Sequence, residues 1–291
     1  MLKSIKNIYR FLSPRFQTLH NDYPVDFKPR YGHGQPPHLQ LYDIINSFRE
    51  NYAEILRGML EYQNAFFNIS ENSIPANAPK GNGIVSPLQY NNGFLPALDI
   101  MAIYTMLARL KPAQYIEVGS GNSTKVAYKA IQEQKLTTKI TSIDPYPRAE
   151  IDQLADTIIR KPFETIDYTF IKTLKPRDIL FIDNSHRVLP NSDAMVFFME
   201  ILPQLPSGVV VHIHDIYLPY DYPQFMCDRF YSEQYTLGAF IMANPQRYRP
   251  LLPNYFIFED KELHSILNPI WQNPVLQGVE THGGSFWIEI N

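Results

Sequence analysis

Short apolar runs alternate with longer segments of helical periodicity through the central part of the chain. The apolar runs predict five β-strands: QYIEVG (114–119), KITSID (139–144), DTIIRKPF (156–163), DILFID (178–183) and GVVVHIHD (208–215). Helical spacing of apolar residues marks two of the connections, STKVAYKAIQEQ (123–134) and NSDAMVFFMEILPQL (191–205). This alternation predicts a parallel sheet covered by helices on both faces.

Two further apolar runs follow near the C-terminus, YRPLLPNYFIFE (248–259) and GSFWIEI (284–290). No crossover helix of comparable length separates them, so we expect them to close the sheet as an antiparallel pair. The predicted fold is therefore α/β, a Rossmann-like doubly wound and mostly parallel seven-stranded sheet with an antiparallel C-terminal edge.

The N-terminal third has a different pattern, and we assign residues 1–94 to an arm and helical extension and residues 95–291 to the main domain. Residues 13–40 are rich in Pro, Gly, His and Tyr without periodicity, which predicts an extended arm. Helical spacing returns from Leu39 to Phe67 and in PALDIMAIYTMLARLKP (96–112). Residues 2–12 also have helical spacing, and we favour a helix packed on its own domain over a helix on a membrane surface.

Composition narrows the classes of protein. Of the 291 residues, 45% are hydrophobic and 19% are charged, and the net charge of -3 argues against nucleic-acid binding. The single cysteine, Cys227, excludes an internal disulfide and a cysteine-based zinc site, and it suits the cytoplasm. No apolar run is long enough to predict a membrane span. The arm and the long helices could also serve a homo-oligomer.

The turn EVGSGNST (117–124) joins the first predicted strand to its helix. Gly119 and Gly121 would allow a tight turn and bring backbone N–H groups against a ligand. Such turns bind dinucleotides in some folds and S-adenosylmethionine in others. Thr124 replaces the third glycine of the dinucleotide motif, and the acid Glu117 suits a ligand with an ammonium group.

The next two strands end in carboxylates that suit an adenosine nucleoside. Asp144 follows Gly121 by 23 positions, where a carboxylate can accept hydrogen bonds from both ribose hydroxyls. Glu164 follows the third strand and could reach the adenine amino group or remain a solvated loop residue. A Tyr168–Lys172 pair fits a dehydrogenase in spacing, but it precedes the fourth strand and we regard it as chance.

The fourth and fifth strands end in FIDNSH and HIHDI, and ligands of open α/β sheets bind at these strand ends. His214 and Asp215 lie at the tip of the fifth strand, where a substrate hydroxyl would approach. His212 lies deeper, and we interpret it as a hydrogen-bonded core histidine. An imidazole with an ordinary pKa near 6.5 could accept a proton at neutral pH.

An aromatic segment follows the fifth strand. Its aromatic residues are Tyr217, Tyr220, Tyr222, Phe225, Phe230 and Tyr231. They could stack on a sugar ring or a flat phenolic acceptor, or they could pack as a lid on the core. Glu233, which follows them, could be a polar lid contact or a surface residue.

Together these motifs resemble class I S-adenosylmethionine-dependent methyltransferases. The resemblance covers about residues 95–290 and is carried by YIEVGSGNSTKVA, SIDP, DILFIDNSH, GVVVHIHDIYLPYDYP and EQY before an apolar helix. The branch it resembles contains the macrocin and related sugar O-methyltransferases, methyltransferase family 24. The resemblance implies S-adenosylmethionine as cofactor, bound by Glu117, Gly119, Ser120, Gly121, Asn122, Ser123, Asp144 and Glu164.

The resemblance also implies a catalytic set and a metal set. In related sugar O-methyltransferases, acidic turns after the fourth and fifth strands hold magnesium. Here Asp183 and Asp215 match two of the metal carboxylates, His214 replaces a third, Ser185 replaces an acid that can act as base, and His186 matches the histidine of the turn. We therefore expect catalysis by His214, Asp183 and His186. Either Asp183, His214 and Asp215 hold a divalent ion, or His214 is an unassisted base.

The function expected from this resemblance is O-methylation of a small polyhydroxylated acceptor, a sugar or glycoconjugate. The alternatives are a non-catalytic S-adenosylmethionine-binding or scaffold protein and an NAD-dependent dehydrogenase. The changes at His214 and Ser185 motivate the first alternative.

Overall fold

The computed structural model describes residues 12–13, 22–69, 87–147 and 150–291. The predicted helix at residues 2–12 lies almost entirely outside these ranges. No helix in the described ranges is long and apolar enough to cross a membrane.

The predicted helical stretch from Leu39 to Phe67 is confirmed as a broken series. It comprises α1 (Leu39–Asn46), α2 (Arg49–Met59), a 3₁₀ turn (Leu60–Tyr62) and α3 (Gln63–Phe67), and α4 (Ala97–Leu110) follows. Residues 22–38 contain no helix or strand, as expected for the arm. Tyr52 and Leu56 of α2 are fully buried in the same hydrophobic core as α4 and the sheet. The extension therefore packs on the main domain.

All seven strands form one sheet. Their bounds are β1 (Gln114–Val118), β2 (Lys139–Ile143), β3 (Thr157–Ile159), β4 (Ile179–Ile182), β5 (Val210–Ile213), β6 (Tyr248–Pro253) and β7 (Phe286–Ile290). The strand order is β3-β2-β1-β4-β5-β7-β6. The first five strands pair in parallel, whereas β7 is antiparallel to both β5 and β6. The predicted seven-stranded sheet with an antiparallel C-terminal edge is confirmed.

Burial explains the apolar runs of the central strands. Every residue of β4 and β5 is buried, because helices cover both faces of the parallel part of the sheet. The covering elements include α5 (Asn122–Glu133), α6 (Asp193–Val196) and α8 (Glu233–Ala243). Helix α7 (Gln224–Cys227) instead contributes Met226 and Cys227 to a separate apolar cluster. A π-helical turn (Phe197–Ile201) and a 3₁₀ turn (Leu202–Gln204) extend α6, so the predicted helix at 191–205 exists but is not uniformly α-helical.

The second half of the run YRPLLPNYFIFE is not a strand. Strand β6 ends at Pro253, and residues 254–259 form helix α9 (Asn254–Glu259). The aromatic and β-branched residues of this segment suggested a strand, but tertiary contacts override such a preference. Asn254, the first residue of α9, is fully buried. Its Nδ2 donates a hydrogen bond of 2.6 Å to Asp99 in the first turn of α4. Two short helices, α10 (Lys261–Ser265) and α11 (Asn268–Trp271), follow.

Candidate functional site

The glycine turn lies where β1 meets α5, and its two glycines have different roles. Gly119 has a φ of 82°, and a Cβ there would overlap the backbone carbonyl oxygen of Asp183. Only glycine fits this close approach between the ends of β1 and β4. Gly121 has a φ of 170° and open space where its Cβ would be, so the turn itself does not require glycine there.

Glu117 lies beneath the turn, fully buried, instead of facing the cleft. Its carboxylate accepts hydrogen bonds from the hydroxyls of Ser123, at 3.0 Å, and Thr124. Thr124 Oγ1 in turn accepts a hydrogen bond of 3.2 Å from the N–H of Gly121. Burial raises the pKa of Glu117 to about 8 despite these hydrogen bonds. Glu117 thus braces the turn from below, and its contact with a ligand ammonium group stays a prediction.

Asp144 at the end of β2 also braces the turn. Its Oδ2 accepts a hydrogen bond of 2.9 Å from the Ser120 N–H, and its Oδ1 accepts one of 2.8 Å from the Tyr146 N–H. Each carboxylate oxygen has a second lone pair, so Asp144 can still accept from a ligand. Glu164, on a 3₁₀ turn after β3, lines the same cleft.

Three adjoining pockets lie along the carboxyl ends of the strands. The β2 pocket, about 410 Å³, is lined by residues that include Ser120, Asp144, Tyr146, Phe163, Glu164 and Asp183. The turn pocket, about 370 Å³, is lined by residues that include Gln89, Asn91, Ser120, Gly121, Asn122, Ser123, Lys125, Asp183 and His214. The aromatic pocket, about 350 Å³, is lined by residues that include Tyr90, Phe94, Asp183, His186, His214, Asp215, Tyr217, Phe225, Arg229 and Tyr231. Asp183 borders all three pockets, and His214 borders the turn and aromatic pockets.

Two imidazoles meet the carboxylates at this junction. His186 Nε2 lies 3.4 Å from Asp183 Oδ1 and 3.5 Å from Asp215 Oδ2. On its other side, His186 Nδ1 lies 2.6 Å from Oε1 of the fully buried Glu233. The ring also stacks on Tyr231, with centroids 4.4 Å apart. Glu233 therefore orients His186 toward the junction, and it is neither a surface residue nor a lid contact.

His214 has the same arrangement with a different buried acid. Its Nδ1 lies 3.5 Å from Asp215 Oδ1 and 3.7 Å from Asp183 Oδ1. Its Nε2 lies 3.4 Å from Oδ2 of Asp99, a fully buried residue of α4. Asp99 is held in turn by Asn254 and by the backbone N–H groups of residues 284 and 285. Each imidazole thus has a buried carboxylate behind it and two carboxylates in front.

These carboxylates change the proton affinity of both imidazoles. Burial by itself disfavours a charged His214, but Asp215, Asp183 and Asp99 raise its pKa well above the usual value. Burial likewise opposes charge on His186, whereas Glu233, Asp215 and Asp183 raise its pKa. The carboxylates around His214 therefore favour its protonated form, in contrast to the expectation of an imidazole with an ordinary pKa.

The expected metal set is not assembled as a metal site. Asp183, His214 and Asp215 are neighbours, but within the described ranges no three His, Cys, Asp or Glu side chains could hold a metal ion. A physical reason is that the imidazole nitrogens lie between carboxylates, which favour the protonated, charged form of each ring. A protonated nitrogen has no lone pair to offer a metal ion.

Other predicted residues take structural positions. His212 is fully buried, its Nε2 lies 2.6 Å from Ser285 Oγ, and its ring stacks on Trp287, as expected for a core histidine. Ser185 donates from its hydroxyl and its N–H to Asp193, which begins α6. Tyr168 and Lys172 lie on a 3₁₀ helix before β4.

His186 and Asp215 share an unusual backbone conformation. Their φ values are 61° and 56°, in the left-handed region that non-glycine residues seldom adopt. His186 lies four residues after the end of β4 and Asp215 two residues after the end of β5, and both line the aromatic pocket at the junction. Such conformations cluster at functional sites.

Comparison with known proteins finds a family match over part of the chain. Residues 116–216 match the family model of a methyltransferase domain. Over this segment, about a third of the chain, the protein is similar to methyltransferase domains.

Individual relatives are distant. An uncharacterized protein of Archaeoglobus fulgidus is 29% identical over 93 residues, which cover 29% of this chain and 41% of that protein. The S-adenosylhomocysteine-bound Podospora anserina methyltransferase PaMTH1 is 14% identical, with a TM-score of 0.41 over 80% of this chain and 88% of that one. The plantazolicin methyltransferase BpumL, solved with a monoazolic desmethylPZN analog and S-adenosylhomocysteine, is 13% identical, with a TM-score of 0.40. The match covers 65% of this chain and 85% of that one.

Proposed function

We propose that this protein is an S-adenosylmethionine-dependent O-methyltransferase that acts on a small polyhydroxylated acceptor, such as a sugar or glycoconjugate. The observation that carries the proposal is the position of Asp183, which borders three adjoining pockets and lies beside two imidazoles. A methyltransferase needs such a junction, because donor and acceptor must meet in line at one point.

Each of the three pockets suits a different part of the cofactor or the acceptor. The β2 pocket offers Asp144 for ribose hydroxyls and Glu164 for the adenine amino group, beside the aromatic ring of Phe163. The turn pocket continues from it through Ser120 and suits the amino-acid end of the cofactor. The aromatic pocket then takes the acceptor, where aromatic rings such as Tyr217 can cover a sugar face.

The protein's own residues would accept the proton of the acceptor hydroxyl and align the two substrates. S-adenosylmethionine, when bound, supplies a methyl group on a positively charged sulfur. The acceptor hydroxyl must lose its proton as it attacks, and His214 and Asp183 are the groups that border both the turn and the aromatic pockets. His186, held by Glu233, orients and compensates the two carboxylates at the junction. The residues present do not fit a divalent ion, so we derive no step through a metal. We propose a cytoplasmic location, since a chain with a single cysteine suits a reducing compartment.

We expect S-adenosylmethionine, but not S-adenosylhomocysteine, to release protons when it binds near pH 7.5. The pKa of His214 is raised by its carboxylate neighbours, and a nearby positive charge lowers an imidazole pKa. The sulfonium carries that charge and the thioether of the product does not. Calorimetry in buffers with different ionisation enthalpies measures the protons released by each ligand. Replacement of His214 by Gln should remove the difference, and equal proton release by the two ligands in the wild-type protein would contradict this role for His214.

We expect Asp144→Ala to weaken S-adenosylhomocysteine binding by about 1.5 to 3 kcal/mol, the range for lost hydrogen bonds to a charged group. The loss includes the ribose contacts and the support that Asp144 gives to the Ser120 N–H. Asp144→Asn keeps one carbonyl acceptor and should lose less. Isothermal titration of both variants measures the effect, and wild-type affinity in the Ala variant would place the nucleoside elsewhere.

The proposed function is tested by ligand binding followed by methyl transfer. The wild-type protein should bind S-adenosylmethionine and S-adenosylhomocysteine but not NAD, and binding of NAD alone would refute the proposal. Transfer of a labelled methyl group is then measured across monosaccharides, glycosides and phenols. Transfer to phenols alone would overturn the acceptor class, and ligand binding without transfer to any acceptor would favour a non-catalytic binding protein.

A further inference from the structure

Arg229 is the only lysine or arginine among the described residues that line the aromatic pocket. Its backbone is held on both sides: its N–H donates to the Met226 carbonyl at 3.0 Å, and its carbonyl accepts a hydrogen bond of 2.8 Å from Arg187 Nε. Its guanidinium lies over the ring of Tyr231, with Cζ 4.7 Å from the ring centroid. These contacts keep an exposed positive charge at the pocket.

The acids that line the same pocket are already paired. Each has an imidazole nitrogen 3.4 to 3.7 Å from a carboxylate oxygen. The pairs are Asp183 and Asp215 with His186 and His214, and Glu280 with His282. Arg229, in contrast, forms no ion pair with a carboxylate of the described residues. An anionic group that enters the aromatic pocket therefore meets one cation that no protein acid neutralises.

Tyr231 connects Arg229 to the junction of the three pockets. Its ring contacts the guanidinium and also stacks on His186, with ring centroids 4.4 Å apart. Arg229 and the junction residue Asp183 both line the aromatic pocket, whose volume of about 350 Å³ suits a small molecule. One acceptor molecule could therefore place a hydroxyl at Asp183 and a second substituent at Arg229.

We propose that Arg229 binds an anionic substituent of the acceptor, a carboxylate or a phosphate on the sugar, and thereby selects acidic sugars over neutral ones. This inference rests on the proposed function, since it takes the aromatic pocket as the acceptor site. A guanidinium is suited to this task, because its planar N–H groups can donate to two oxygens of one carboxylate or phosphate. Such a contact would fix which sugar hydroxyl faces the junction.

The test measures methyl transfer from S-adenosylmethionine to matched pairs of sugars. Glucose with glucuronate and galactose with galacturonate test the carboxylate, and glucose with glucose 6-phosphate tests the phosphate. In at least one pair, the wild-type protein should have a kcat/KM for the acidic member that is higher on the order of tenfold or more. High salt should reduce this preference, because Arg229 is exposed and its charge is screened.

Three variants show whether the preference depends on Arg229. Arg229→Met should abolish it, mainly by raising KM for the acidic sugar, whereas Arg229→Lys keeps the charge and should retain part of it. The ratio of the two kcat/KM values decides, because it compares two acceptors on one variant and does not depend on how much of that variant is folded. Arg57→Met is the matched control, since Arg57 is an exposed arginine of α2 that lines none of the three pockets.

Two results would overturn the inference: equal or lower kcat/KM for the acidic member of every pair in the wild-type protein, or a preference that survives in Arg229→Met. In both cases sugars are still methylated, so the proposed function stands. Binding of S-adenosylhomocysteine without transfer to any sugar, neutral or acidic, would instead refute the proposed function. The failure of the inference and the failure of the function therefore give different results.

Discussion

Gly121→Val should fold like the wild-type protein and lose measurable binding of S-adenosylhomocysteine. Gly121 has an extended φ of 170°, which any residue adopts, and no atom lies within 4 Å of the place where its Cβ would be. The Cβ of the valine therefore meets no protein atom. It instead enters the turn pocket, which Gly121 lines. We expect a loss of about 3 kcal/mol or more, over 100-fold in affinity, because the side chain fills space that the ligand needs.

Two measurements separate this steric effect from damage to the fold. The melting temperature of Gly121→Val should stay close to that of the wild-type protein, and titration should show the loss of binding. Gly121→Ala adds a single methyl group and should give an intermediate affinity. Wild-type affinity in the Val variant would mean that the ligand does not occupy the turn pocket.

The pattern of apolar residues predicted most of the fold, because the burial of each strand or helix determines where its apolar residues fall in the sequence. The residues of β4 and β5 are buried on both faces, so ILFI and VVHI appear in the sequence as continuous apolar runs. Helix α9 was missed because NYFIFE has the composition of a strand, while the contact that favours its helix joins Asn254 to a residue 155 positions away. The π turn at Phe197–Ile201 likewise leaves no recognisable pattern in a run of apolar residues.

The part of the candidate site that the sequence predicted consists of residues at the ends of neighbouring strands. Asp183, His186, His214 and Asp215 follow β4 and β5, which are neighbours in the sheet, and the structure places them side by side. The sequence could not show how the imidazoles are oriented. For that reason it suggested a metal site where the structure has imidazoles between carboxylates.

The two buried acids behind the imidazoles come from distant elements. Asp99 belongs to α4, before the sheet begins, and Glu233 begins α8, after the aromatic segment. One signal was available for Asp99, since a single carboxylate interrupts the otherwise apolar helix ALDIMAIYTML. Glu233 lies within a polar stretch, SEQ (232–234), and nothing in that stretch indicates its complete burial.

Gly119→Ala, unlike Gly121→Val, should lower the stability of the folded protein. Gly119 has a φ of 82°, which strains any residue with a side chain, and an added Cβ would overlap the backbone carbonyl of Asp183. The ends of β1 and β4 are joined there by the hydrogen bond of 2.8 Å from the Asp183 N–H to the Val118 carbonyl, so they must separate to make room. Backbone strain and overpacking together should lower the free energy of unfolding by about 2 to 4 kcal/mol.

Thermal unfolding of Gly119→Ala and Gly121→Ala, two alanines separated by one residue, tests this difference directly. The first should lower the melting temperature by roughly 4 to 10 °C, and the second should leave it nearly unchanged. Ligand binding should also weaken in Gly119→Ala, because a shift of Asp183 disturbs the residue that borders all three pockets. If both variants melted at the wild-type temperature, the close approach of β1 and β4 at Gly119 would not be a constraint on the fold.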